Sequence, residues 1–363
     1  MNKLDELAQI GQSIWLDNIS RSMIESGRLQ QEINKGLRGM TSNPSIFDKS
    51  ISTSNDYDAT MRELNTKGLS TFEIYDALTV RDVQDAADLF KPVYEKTNGL
   101  DGYVSLEINP DLAMNTHETI EEGRRLFQKV NRPNLMLKVP ATDAGYEAVS
   151  ELLGDGMNVN VTLIFSMGQY IKTADAYIEG LKRLSKKGGN MKNVHSVASV
   201  FVSRIDTAID KMIDESADEK LKALRGRAAV SNSKLIFNKY GEIFSGAGFS
   251  ALKLKGANVQ RVLWGSTGSK DASYSDIKYV TELIGNPTVN TLPDNTFNAF
   301  LDHGIIEESL SKDVDDAQNT INALKGHGID INDICLKLLD DGLVAFQQAF
   351  KSLLDAIEMK KKG

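Results

Sequence analysis

The sequence predicts an α/β protein: a closed (β/α)8 barrel of the TIM type, with extra helices and a long C-terminal helix. Three observations carry that expectation. Strand-like runs alternate along the chain with segments of 3.6-residue apolar spacing, the pattern of βαβ units and a parallel sheet. There are eight such runs, the number that closes a barrel. No Pro/Ser-rich linker, composition shift or short repeat divides the 363 residues, so residues 1–363 are expected to form one barrel domain. Length alone gives a prior of about two to three domains, but barrels of this class run from roughly 200 to more than 400 residues.

The opening MNKLDELAQIGQ is charged and amphipathic and lacks the apolar core of a signal peptide. Strands are expected at Ser13–Asn18, Leu37–Asn43, Tyr103–Asn109, Asn134–Pro140, Asn158–Ile164, Val194–Val200, Gln260–Ser266 and Pro287–Leu292. Helical spacing lies between them at Ile120–Val130, Gly145–Leu153, Met167–Leu184 and Ile277–Ile284. The intervals before Tyr103 and before Gln260 exceed what one helix needs, so extra helices belong there. The last stretch, Asn332–Lys360, carries Ile334, Leu338, Leu339, Leu343, Phe346, Phe350, Leu353 and Leu354 along one amphipathic helix. It is expected to pack as a closing helix, with Cys335 buried in it.

Composition narrows the function. Apolar residues make up 41%, charged residues 25%, and prolines number only 7, which excludes wholesale disorder and collagen-like architecture. Lys+Arg 42 against Asp+Glu 50 leaves a net charge of −8. With no basic block beyond Lys360–Lys362, no nucleic-acid partner is expected. No apolar run is long enough to span a membrane, and a soluble, cytoplasmic protein is the expectation. The single Cys335 permits no intrachain disulfide. His117, His195, His303 and His327 show no ligand spacing, so no metal site is expected.

Alternation within the strands points to a site. In Val159-Asn160-Val161-Thr162-Leu163 the polar parity is 160/162, and in Val104-Ser105-Leu106-Glu107-Ile108 it is 105/107. Lys138 interrupts Leu135–Val139, and Asp17 interrupts Ile14–Leu16. Successive side chains of a strand face opposite sides, and the outside of a barrel must be apolar to receive helices. These polar residues therefore point inward, most of them at the C-terminal end of their strand, where barrel active sites lie. For Lys138 two readings stand. It pairs with a buried carboxylate or snorkels to the barrel rim, or else burial keeps it a neutral amine, which is a carbonyl nucleophile. Asp17 and Glu107 are its salt-bridge partners or the groups that move protons around an imine. Asn43, Asn160 and Thr162 supply neutral donors and acceptors.

The segment Trp264-Gly265-Ser266-Thr267-Gly268-Ser269-Lys270 reads as a phosphate loop, because small residues after a strand let backbone N–H groups approach an anion. It lacks Walker A spacing, and no strand-linked GxGxxG exists for a nicotinamide or flavin. Arg204, at a strand-to-helix junction, adds a guanidinium fork.

The segments WLDNISR, MTSNPSIF, VSLEINP, LMLKVPAT, MNVNVTLIFS, SVASVFVSRID, WGSTGSK and NTLPDNTFNAFLDHG, in that order over nearly the whole chain, resemble the transaldolase family. The resemblance implies a class I aldolase-type barrel that acts in the pentose phosphate pathway without a cofactor. Such an enzyme moves a dihydroxyacetone unit from sedoheptulose 7-phosphate to glyceraldehyde 3-phosphate, giving erythrose 4-phosphate and fructose 6-phosphate. Its partners are small-molecule sugar phosphates, and a monomer or a homodimer is expected. Position by position, Lys138 matches the Schiff-base lysine and Asp17 the carboxylate that deprotonates the C4 hydroxyl. Glu107 and Thr162 match the pair that holds the catalytic water. Asn43 and Asn160 match contacts to the dihydroxyacetone carbons, Ser199 a contact further along, and Arg204 and Ser266 phosphate contacts. Shorter members carry an arginine where this chain has Gly268. The GSTGSK form is similar to a longer bacterial branch, in which Lys270 takes over that charge. Two alternatives differ in outcome: an aldolase that releases free dihydroxyacetone from fructose 6-phosphate, and a non-catalytic sugar-phosphate-binding barrel. Fructose-6-phosphate aldolases of this superfamily are shorter and carry an amide at the place of Glu107, and a sensor would have no need of Lys138 with Asp17.

Overall fold

In the computed structural model, which describes residues 2–362, eight parallel strands close into a barrel in sequence order. They are β1 Gln12–Asp17, β2 Gly39–Thr41, β3 Tyr103–Glu107, β4 Leu135–Pro140, β5 Val159–Ile164, β6 Ser196–Phe201, β7 Arg261–Gly265 and β8 Thr288–Leu292. Closure comes from β1 pairing with both β2 and β8. Each strand falls within a residue or two of its expected span. The main shortfall is β2, which ends at Thr41 because Asn43 leaves the sheet to cap the helix Pro44–Thr53, with Pro44 at its first turn.

The expected helices at 120–130, 145–153 and 167–184 are present as Thr116–Val130, Asp143–Gly154 and Met167–Lys186. The expected helix Ile277–Ile284 is not. Only Lys278–Thr281 is helical. The backbone N–H of Ile284 takes the Ser309 hydroxyl, and its carbonyl accepts from the N–H groups of Ser309 and Leu310. Those bonds replace the next helical turn. The two long intervals do hold additional helices, among them Thr71–Lys96 before β3 and Ala228–Ser245 before β7.

Two cores follow from strand parity. Outward positions such as Leu16, Leu106, Leu137, Val139, Val159 and Val161 join the large core beneath the helices. Inward positions Trp15, Tyr103, Met136, Val197, Leu263 and Val289 form a separate cluster inside the barrel. A Cβ at Gly39 would come within 2.6 Å of the Trp15 ring, so glycine is what lets that indole fill the interior. Below this layer Arg261 pairs with Asp101 at 2.8 Å, and Ser13 bonds to both.

Above the apolar layer the same parity continues into polar residues. Trp15 is followed two positions on by Asp17, Met136 by Lys138, Val197 by Ser199 and Val289 by Thr291. Two strand residues rise about 6.5 Å, so these side chains form the next tier, at the C-terminal mouth.

The C-terminal helix Ile331–Lys362 buries Phe346, Phe350, Leu353 and Ile357, and Phe350 meets Tyr75 edge-on at 5.1 Å. It packs on the helix Pro44–Thr53 after β2 and on the helix Ser203–Asp214 after β6, and it touches β5. Since β2 and β6 lie on opposite sides of the ring, the helix spans the mouth. Cys335 is buried, as expected.

Candidate active site

Register places the polar groups around Lys138. Lys138 on β4 stands beside Glu107 on β3 and Asn160 on β5. Its Nζ lies 3.0 Å from Glu107 Oε2 and donates to the Ser42 carbonyl at 3.0 Å, with the side chain only 5% exposed. The contact is an ion pair between the amine and Glu107 Oε2, and it opposes the effect of burial on that carboxyl. Asp17 on β1 accepts from Thr41 at 2.6 Å, and Thr41 and Thr291 share a 2.7 Å hydrogen bond. Asn160 donates to Ser105 at 3.1 Å and accepts from Ser199 at 2.6 Å. The Thr162 hydroxyl is fully buried and meets no hydrogen-bond partner among the described residues. Such a group calls for a water or a substrate oxygen.

Electrostatics suit proton transfer. Burial pushes the Asp17 carboxyl up from the usual range, against the pull of the Lys138 charge and the Thr41 hydrogen bond. Burial also raises Glu107, opposed by Lys138 and reinforced by the charge of Asp17. Carboxyls moved upward exchange protons more readily near neutral pH.

The other end of the site is cationic. Arg204 is the second residue of the helix Ser203–Asp214, and its guanidinium lies 5.3 Å over the Phe201 ring. Among the described residues no carboxylate is within ion-pair distance of it; burial lowers its pKa, and the Asp341 charge acts against that. Ser266 has φ of 52°, a left-handed conformation uncommon for a non-glycine residue, and its hydroxyl is 3.1 Å from that of Ser203. Lys270 is exposed on the same loop.

A cavity of about 200 Å³ gathers these groups. Asp17, Asn43, Lys138, Thr162, Ser199, Arg204, Ser266 and Lys270 line it, while Glu107 and Asn160 stand behind, in contact with Lys138 and Ser199. Of the readings of Lys138, the pairing with a carboxylate is what the geometry shows, and the side chain also opens on the cavity. Sequence reasoning missed Thr41 and Thr291, although inward parity marks both. It also missed Phe201 and Phe346 as cavity walls. Nothing in the apolar stripe of the last helix distinguishes Phe346 from its packing neighbours.

Fold and site together define a class: a (β/α)8 barrel whose mouth presents a lysine, flanked by two carboxylates, to a polar cavity with a cationic end. The model of the transaldolase/fructose-6-phosphate aldolase family matches residues 14–357, and the chain belongs to that family. Among its relatives, a protein named transaldolase from Trichodesmium erythraeum is 44% identical over 99% of this chain and 98% of its own. One named transaldolase 2 from Nostoc sp. is 44% identical over 100% and 98%, and one of the same name from Streptomyces coelicolor 43% identical over 99% and 97%. Among the described residues no helix is long and apolar enough to cross a membrane.

Proposed function

We propose that the protein is a transaldolase, a transferase that carries dihydroxyacetone between sugar phosphates as an imine on Lys138. The observation that carries this reading is Lys138 itself, buried at the barrel mouth, 3.0 Å from Glu107 and open to the cavity. Full-length relatives bearing the name transaldolase support it over an aldolase that only releases dihydroxyacetone. The setting is the pentose phosphate pathway in the cytoplasm, with one barrel domain working as a monomer or homodimer and no cofactor.

The amine adds to C2 of the ketose, and Glu107 moves protons while the carbinolamine loses water held between Glu107 and Thr162. Asp17 then takes the C4 hydroxyl proton and the C3–C4 bond breaks. Its electrons flow into the protonated imine, leaving a neutral enamine and a free aldehyde. Asn43, Asn160 and Ser199 hold the sugar hydroxyls, while Arg204, Ser266 and Lys270 receive the phosphate. An acceptor aldehyde reverses the steps, with Asp17 returning the proton.

Fructose 6-phosphate with borohydride tests the centre of this reading. Reduction should add mass to the peptide containing Lys138 and inactivate the enzyme. Lys138→Arg should give no adduct, since a guanidinium stays protonated and does not attack. An adduct on another lysine, or turnover by the arginine variant, overturns the assignment.

A further inference from the structure

The wall of the cavity around Lys138 is mostly polar, with Asp17, Thr41, Thr162 and Thr291 all facing it. A water there finds partners on nearly every side. Four apolar side chains interrupt that wall, those of Phe201, Leu263, Pro293 and Phe346; of these Phe346, 4% exposed, holds its ring centroid 5.8 Å from Lys138 Nζ. That ring belongs to no strand or loop of the barrel. It is delivered by the C-terminal helix, and one turn earlier Gly342 explains how the helix comes so near. A Cβ at Gly342 would stand 3.0 Å from Leu163 and 3.5 Å from the Arg204 guanidinium. Glycine in a helix interior costs about 1 kcal/mol relative to alanine, and here it permits the close approach that puts Phe346 over the lysine.

The enamine on Lys138 has two fates. Its nucleophilic carbon attacks an acceptor carbonyl, forming the new C–C bond while the carbonyl oxygen takes the proton from Asp17. Otherwise that carbon takes a proton from water, the iminium adds water at C2, and the C–N bond breaks to free dihydroxyacetone and the lysine amine. The second route needs a proton donor beside the enamine, and an apolar ring denies water a place there.

We infer that Phe346 is a specificity-determining residue: by excluding water from the enamine it makes this barrel a transferase in preference to an aldolase that sheds dihydroxyacetone. The inference rests on the imine at Lys138 and adds a residue outside the segments that carry the family resemblance.

The test is a graded series, Phe346→Leu, Phe346→Val and Phe346→Ala, in the full chain. For each, dihydroxyacetone released from fructose 6-phosphate without acceptor is compared with transfer to erythrose 4-phosphate. The release-to-transfer ratio should climb as the side chain shrinks, reaching on the order of 10-fold for alanine, equivalent to about 1.4 kcal/mol of relative barrier. Borohydride trapping on Lys138 should persist throughout. If alanine prevents folding, the step from leucine to valine decides. A flat ratio across the folded variants, with trapping intact, overturns the role of Phe346 and leaves the lysine chemistry standing. Absence of an adduct in the unaltered enzyme would instead remove the imine reading itself.

Discussion

Asp17 on β1 and Glu107 on β3 both act on Lys138, yet their surroundings differ in a way that separates their tasks. Glu107 is in direct contact with the amine, whereas Asp17 is steered by Thr41 and acts on the lysine only through its charge. Glu107→Gln should therefore slow imine formation and hydrolysis. Asp17→Asn should leave the borohydride adduct obtainable but slow C–C cleavage by roughly 10²–10⁴, the usual worth of a positioned acid or base. Rapid-mixing measurements of each step check the division, and equal defects at both steps would count against it. At this scale the sequence was informative wherever a polar residue broke an apolar strand, because parity alone decides which face it takes. It was silent on Phe346, whose apolar neighbours need the same residue type for packing that the cavity needs for a dry wall. Nor did it show that Arg21, Tyr57 and Asp82 form a buried network, with Arg21 over the Tyr57 ring at 4.5 Å and bonded to Asp82 at 2.9 Å. Those residues lie far apart in sequence.

The loop after β7 shows how an element is held for a task. Its outer half is tied down by Arg225, which bonds Asp271 and the Tyr274 hydroxyl, while Tyr274 in turn donates to Asp210 on the helix Ser203–Asp214. The same helix presents Arg204, so both cationic groups share one rigid frame. Arg204→Ala should raise KM for fructose 6-phosphate roughly 10–150-fold, the range of a charge-assisted hydrogen bond worth about 1.5–3 kcal/mol. Lys270→Ala should cost less, because its exposed charge is screened. Neither change should alter turnover of unphosphorylated fructose as donor, and comparing the two donors decides whether these residues grip phosphate or support the loop. Existence and order of the strands were legible from alternation. The stretch 277–284 was not, since its apolar spacing is helical but its backbone partners, Ser309 and Leu310, come from a distant segment.

For the molecule as a whole, pH stability has an identifiable contributor outside the site. His195 lies at the opposite end of the barrel against Tyr103, and burial, aided by the Arg261 charge, lowers its pKa from 6.5 to about 4. The folded state binds this proton less readily than the unfolded chain. Stability from the neutral imidazole is complete above pH 6.5 and is lost as pH falls towards 4. About 2.5 pKa units correspond to roughly 3 kcal/mol. Asp17 and Glu107, raised by burial, work in the opposite sense as pH falls. Denaturant unfolding from pH 7 to 4 should show a steeper loss for the native chain than for His195→Gln, and parallel curves would discount this histidine. The strands were countable in the sequence and their number implied closure, but the register of β1 against β8 was not legible, because it joins residues that no local pattern links.

That closure also sets a clock. The hydrogen bond between Thr41 and Thr291 spans 250 residues of chain, and Asp17 relies on Thr41 for its orientation. At about 5–20 residues per second of synthesis, Thr41 leaves the ribosome on the order of 10–50 s before its partner exists. Phe346 emerges later still. A growing chain therefore displays Lys138 long before the groups that hold a sugar against it are in place. The protein acquires its chemistry at the end of its own manufacture.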